Sequence, residues 1–223
     1  MRAMTDDGSG MTGGRSRILE AVVDVIADEG IDRASVRAVA QRAGVSIGAV
    51  QHHFRTKAQM LEGAMAQLTA LFEAQARDDA AAGAEAPDSP GGSARQDGPG
   101  DPLLVLRTMC IGLALVDEES RRLGGVWLDF VATSRVNEGL AGIHRSAWAR
   151  LRGLFAYLIS EIEPGHTGPE SAADLLLASL DGIAVSRMTE PQYMTAERAQ
   201  GLVEAALVAV RAVEGGRSSG AQS

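Results

Sequence analysis

The sequence predicts an all-α protein, a three-helix helix-turn-helix head followed by a larger helical body. Apolar residues recur at spacings of three and four through residues 15–213 and never alternate with period two over a useful length. Aromatic residues make up only 4% of a chain that is 45% apolar, so Ala, Leu, Val and Ile must fill the core, which suits packed helices better than sheets. Residues 35–57 hold two short helical patterns on either side of a glycine turn, the helix-turn-helix arrangement.

Residues 1–14 are rich in Gly, Asp, Ser and Met and are expected to be disordered. They contain a G-x-G-x-x-G match at Gly8, Gly10 and Gly13, but no strand precedes it, so a dinucleotide site is not expected. The first helix spans 15–29, with Ile18, Leu19, Val22, Val25 and Ile26 on one face, and Gly30 stops it.

The next helix carries Val36, Val39, Ala40 and Ala43 inward. Gly44 supplies a position free to take positive φ, and Ser46 caps a second helix over 47–53. Val50 and Phe54 face the core there, while Ile47, Gly48, Gln51, His52 and His53 face outward. The second helix of such a pair enters the DNA major groove. Gly44-Val45-Ser46-Ile47-Gly48 also matches the nucleophile elbow of esterases, but that motif needs a strand before its serine, and residues 38–43 read as helix.

Thr56 opens a helix to about residue 77, with a capping box in which Gln59 reaches back to the cap and an apolar stripe of Leu61, Ala64, Met65, Leu68, Leu71 and Phe72. Residues 78–102 contain Pro87, Pro90, Pro99 and Pro102 and no large apolar residue, the composition of a flexible insertion. The body continues with helices over 103–116, 125–135 and 140–162. Thr167-Gly168-Pro169-Glu170 starts a further helix to about residue 187, with a possible capping box. After a turn at Pro191, Thr195 caps the last helix, to about residue 213. The organisation expected is a head over 15–60, a body over 61–213 interrupted at 78–102, and a disordered tail over 214–223.

The chain has 223 residues and a formal charge of −8, unevenly spread. Residues 15–57 carry seven cations against five anions, and residues 58–223 carry −9. A cationic head on an acidic body fits local neutralisation of phosphates. Lys57 is the only lysine, and it lies beside the second helix of the pair. Cys110 is the only cysteine, which rules out an internal disulfide and reads as a buried small apolar residue, with redox sensing as the alternative. No apolar run reaches the roughly 18 residues of a membrane span, and a cytoplasmic location is expected. His144 and His166 show no metal-ligand spacing, and no cofactor is expected.

Arg17-Ile18-Leu19-Glu20-Ala21, Glu29-Gly30, Val36-Arg37-Ala38-Val39-Ala40, Ala43-Gly44-Val45-Ser46 and His53-Phe54-Arg55-Thr56-Lys57 together resemble the TetR family of transcriptional regulators. Trp127-Leu128-Asp129-Phe130-Val131-Ala132 and Asp181-Gly182-Ile183 are similar to the branch that includes the betaine-pathway regulator. The resemblance implies that Ile47, Gly48, Ala49, Gln51 and His53 face the groove, that Arg37 reaches a base or phosphate, and that Ser46, His53 and Lys57 contact the DNA backbone. Ser35 and His52 belong to the same DNA-facing set. One departure is Gln51, which stands where the family usually has a tyrosine; glutamine can pair with an adenine edge.

The resemblance further implies a homodimer built from the last two helices and a small-molecule effector held among the middle helices. The bulky groups on those helices are Met109, Trp127, Phe130, Trp148 and Phe155. The reading is therefore a ligand-responsive repressor of a palindromic operator and not an enzyme. The alternatives are an esterase-like hydrolase using Ser46 and an architectural DNA-binding protein with no ligand.

Overall fold

In the computed structural model, residues 8–84 and 101–212 are described, and nine α-helices form among them. These are α1 (Gly8–Glu29), α2 (Val36–Ala43), α3 (Ile47–His53), α4 (Lys57–Ala84), α5 (Pro102–Leu113), α6 (Glu118–Ser134), α7 (Glu138–Ile162), α8 (Pro169–Thr189) and α9 (Ala196–Ala209). Short 3-10 turns occur at Ile31–Arg33 and Val210–Ala212. No strand is present among the described residues, so the all-α expectation holds.

Several boundaries differ from those the pattern suggests. Helix α1 begins at Gly8 rather than at residue 15. Extending a helix already nucleated by buried Ile18, Leu19 and Val22 is cheaper than nucleating one, and no proline interrupts the stretch. Helix α4 runs on to Ala84 because Ala80, Ala81 and Ala82 are strong helix formers and the first proline beyond them is Pro87. Helix α6 starts at Glu118 rather than 125: Asp117 accepts the Ser120 N–H at 2.8 Å and the Ser120 hydroxyl at 2.6 Å, a cap that the pattern of large apolar residues does not reveal. At α8 the cap is Gly168, which makes no side-chain cap bond, so the capping box suggested by Thr167 and Glu170 is not the device used. Pro169 does sit in the first turn. The expected tails and the insertion fall partly outside the described residues, namely at 1–7, 85–100 and 213–223.

The chain divides into two units. The first combines residues 1–71 with 125–145, and the second combines 72–124 with 146–223. In the first unit α1 packs on α2, and α2 on α3, around Ile18, Leu19, Val22, Val39, Val50 and Phe54, each at most 3% exposed. Phe54 also meets α4, where a Cβ added at Gly63 would lie 3.0 Å from its ring. A larger residue at 63 would require the Phe54 ring or the Leu19 side chain to give by a few tenths of an ångström.

In the second unit α5, α7, α8 and α9 enclose a core that includes Leu106, Phe155, Leu176, Leu180, Val203 and Cys110. Burial, with a smaller contribution from Glu204, pushes the Cys110 thiol up to about 12. The native thiol thus keeps its proton at a pH where the unfolded chain loses it. Stability carried by this group is full below the unfolded value near 9 and is lost as pH rises toward 12. The unfolding free energy from urea titration should fall faster between pH 9 and 11 for the native chain than for Cys110→Ala, by at most about 1.4 kcal/mol per pH unit. Equal slopes would refute the assignment.

Candidate nucleic-acid interface

Each helix of the helix-turn-helix pair is fixed at its N-terminus by a serine. Ser35 Oγ accepts the Ala38 N–H at 3.2 Å, and Ser46 Oγ accepts the Ala49 N–H at 3.1 Å. These caps satisfy donors that a helix start leaves unpaired. Between the helices Gly44 takes φ 65 and ψ 35, while the Val45 N–H donates back to the Ala40 carbonyl at 3.0 Å. This left-handed glycine closure sets the angle at which α3 leaves α2.

The two caps and the closure leave one face of α3 in solvent. Val50 is fully buried, whereas Ile47 is 46% exposed and Gly48, Gln51 and His52 are exposed beside it. Ser35, Arg37, Ser46 and Lys57 are exposed, and Ala49 and His53 are half-buried. His53 packs edge-on to His52, with ring centroids 5.3 Å apart, and the Arg15 guanidinium lies 5.3 Å from the Phe54 ring centre.

Cations of the head have distinct tasks. Arg42 pairs with Asp28 at 2.6 Å and Glu29 at 3.3 Å, and Arg17 donates to the Ala43 carbonyl at 3.2 Å, so both brace α2 against α1. Lys57 donates to the carbonyls of Ile31 and Asp32, each at 3.1 Å. Two of its three ammonium hydrogens are thereby engaged. Thr56 Oγ1 accepts the Gln59 N–H at 3.1 Å, as a capping box requires. Gln59 Oε1, however, accepts from Arg55 at 3.0 Å, one residue before the expected partner.

Ser46 follows a helix and a turn rather than a strand, and its oxygen serves as a cap. The context that the nucleophile elbow requires is not present. Likewise Gly8, Gly10 and Gly13 lie within α1, away from any strand–turn–helix arrangement. Among the described residues no group of three or more His, Cys, Asp or Glu side chains is placed to hold a metal ion, and no helix is long and apolar enough to cross a membrane.

The candidate effector residues divide between the units. In the first, Phe130 is fully buried, and half-buried Trp127 lies with its ring 5.4 Å from that of His144. In the second, Phe155 is fully buried, Met109 and Trp148 are half-buried, and Trp148 hydrogen bonds Asp181. A separate apolar cleft in the second unit is lined by Leu103, Leu106, Ile159, Ile162, Leu207 and Val210 together with Glu163 and Arg211. Two further groups have roles that the sequence does not reveal: Asp129, within the 127–132 stretch, bonds the backbone of the head, and Arg187 is a buried cation.

Comparison with known proteins places these features. Residues 18–64 match the family model for bacterial regulatory proteins of the tetR family, and residues 104–212 match that for the C-terminal part of BetI-type transcriptional repressors. The chain is 31% identical over 170 residues to the HTH-type transcriptional regulator BetI of Stenotrophomonas maltophilia, covering 76% of this chain and 78% of that protein. It is 28% identical over 188 residues to the HTH-type transcriptional regulator PksA of Bacillus subtilis, covering 82% and 83%. A crystal structure of a transcriptional regulator from Rhodococcus sp. superimposes with a TM-score of 0.72 at 30% identity, covering 88% of this chain and 95% of that one. A TetR transcription regulator from Haloarcula marismortui has the same TM-score at 17% identity, a likeness of fold alone.

Proposed function

The chain belongs to the TetR family of transcriptional regulators, and on that basis we propose a dimeric repressor that leaves its operator when a small molecule binds. The observation that carries the DNA reading is the solvent-facing side of α3, held by two serine caps and a left-handed glycine. Gly48 and Ala49 let that helix approach the groove closely, and Gln51 and Ile47 present a bidentate polar group and a methyl surface to base edges. Ser35, Arg37, Ser46, His52, His53 and Lys57 complete the DNA-facing set.

Dimerisation through α8 and α9 is the second part of the reading. Leu175 and Val185 on α8 and Leu202 and Val208 on α9 are exposed although large and apolar, and they stand among Ala178, Gly182, Gly201 and Ala205. Apolar area of this kind on paired helices is covered by a second copy in a two-fold bundle. Two heads on a two-fold axis would then read two half-sites. Met109, Trp127, Phe130, Trp148 and Phe155 are the candidates for effector contact. Phe130 and Phe155 are fully buried, so a ligand touching them requires an opening of the core. Preferential binding to the state with wrongly spaced heads would lower operator occupancy.

The test is selection of a duplex from a random library by the full chain, followed by fluorescence anisotropy at several salt concentrations. Specific recognition predicts a near-palindromic duplex bound about 10³-fold or more tighter than scrambled DNA. Gln51→Ala should weaken that binding about 10- to 100-fold and relax sequence preference at one base pair per half-site. Enrichment of no duplex would overturn the reading.

A further inference from the structure

Asp129 stands outside the DNA-facing set, yet it touches the head. Its Oδ2 accepts the Ile31 N–H at 3.1 Å, a contact between residues 98 apart in sequence and both in the first unit. Ile31 opens the 3-10 turn Ile31–Arg33, whose leading N–H has no partner within the turn. Gly30 before it takes φ 85 and ψ 160, a conformation essentially reserved for glycine. At the carbonyl side of the same turn, Lys57 donates to Ile31 and Asp32. A carboxylate at the amide end and an ammonium at the carbonyl end match the dipole of the turn from both sides.

The turn sits where its position matters. The Ser35 N–H donates to the Arg33 carbonyl at 2.7 Å, and Ser35 is the cap of α2. Lys57 is the first residue of α4 and lies four residues beyond His53, the end of α3. The same later segment also comes close to α4, because a Cβ added at Gly139 would meet the Glu62 carboxylate. Helix α6, which carries Asp129, begins at Glu118, so its first residues belong to the second unit and the rest to the first.

We propose that Asp129 is a positioning residue for DNA binding: from α6 it holds the turn at residues 31–33 and, through that turn and Lys57, the starts of α2 and α4 that frame α3. A shift of α6 either carries the turn with it or breaks the bond, and in both cases the recognition face moves. The inference rests on the DNA-binding reading above.

Asp129→Ala and Asp129→Asn in the full chain test it, with thermal melting, peptide-level amide hydrogen exchange, and anisotropy on the duplex selected by the native chain. Asparagine keeps an acceptor oxygen for Ile31 and alanine does not. Asp129→Ala should bind the selected duplex about tenfold more weakly with an unchanged salt slope and a melting temperature within a few degrees, because the residue meets no phosphate. Exchange should rise at residues 30–38 and 57–61 and stay unchanged in α9. Asp129→Asn should lie within about threefold of the native chain. Unchanged affinity and exchange in Asp129→Ala would overturn the proposal. So would a loss of affinity for selected and scrambled duplex alike that simply follows a loss of thermal stability. Should the native chain select no duplex, the DNA reading fails by itself. Exchange then decides the mechanical link: a rise at 57–61 in Asp129→Ala supports it, and no rise overturns it.

Discussion

Arg187→Leu is expected to cost about 3–5 kcal/mol of stability, a loss at the upper end of what one substitution does. Arg187 is 5% exposed, and its guanidinium donates to three backbone carbonyls: Nε to Leu115 at 3.0 Å, Nη1 to Met194 at 2.7 Å and Nη2 to Val116 at 3.3 Å. Two of those carbonyls belong to the closure at the end of α5, where the Val116 N–H donates to Ile111 and the Leu115 N–H to Gly112. That closure places Leu115 at φ 54, a left-handed position usually given to glycine, with its side chain buried. A Cβ at Gly124 would sit 2.3 Å from the Leu115 side chain, so any larger residue there would force Leu115 to move.

Leucine at 187 fills much of the volume but leaves three acceptors without a donor. Lysine keeps the charge, yet one ammonium cannot span three carbonyls as a planar fork does, so Arg187→Lys should fall between the two. Urea denaturation followed by circular dichroism checks this. A midpoint shift equivalent to less than about 1 kcal/mol for Arg187→Leu would show that the fork is dispensable.

Gly48→Leu is expected to abolish specific DNA binding, by about 100-fold or more, while leaving the fold as stable as before. The only atom within 4 Å of a Cβ built at Gly48 is Ser46 Oγ at 3.8 Å, so a side chain meets open space in the free protein. Leucine is also the better helix former, by about 0.5–1 kcal/mol, so the melting temperature should hold or rise slightly. With α3 docked as proposed, the same side chain would stand between the helix and the groove floor. Gly48→Ala should show a smaller loss. Retained affinity in a stable Gly48→Leu variant would mean that α3 does not dock by this face.

Much of this protein is legible without coordinates. The helix-turn-helix pair follows from local rules, with Ser35 and Ser46 as caps, Gly44 as the left-handed stop, and Val39, Val50 and Phe54 at core spacing. The outward set on α3 follows from the same periodicity, since a residue's face on a short helix is decided by its neighbours three and four positions away. The late helices are similarly marked by Pro169 and Thr195 at their starts. The end of α5 escapes these rules because its left-handed residue is Leu115, tolerated only where Arg187 and Gly124 complete the surroundings. The start of α6 is masked by Gly124-Gly125, a pair with the look of a helix breaker, although Gly124 is there to make room for Leu115.

The all-α class, the helix-turn-helix head and the solvent-turned face of α3 are written in the order of the residues, because each depends on interactions within a few positions. The fold alone brings Asp129 to Ile31, closes Lys57 on the turn at 31–33, and sets three carbonyls around Arg187. In those cases the donor and acceptor lie between 7 and 98 residues apart, and the backbone groups involved look alike in any sequence until packing selects which are left unpaired.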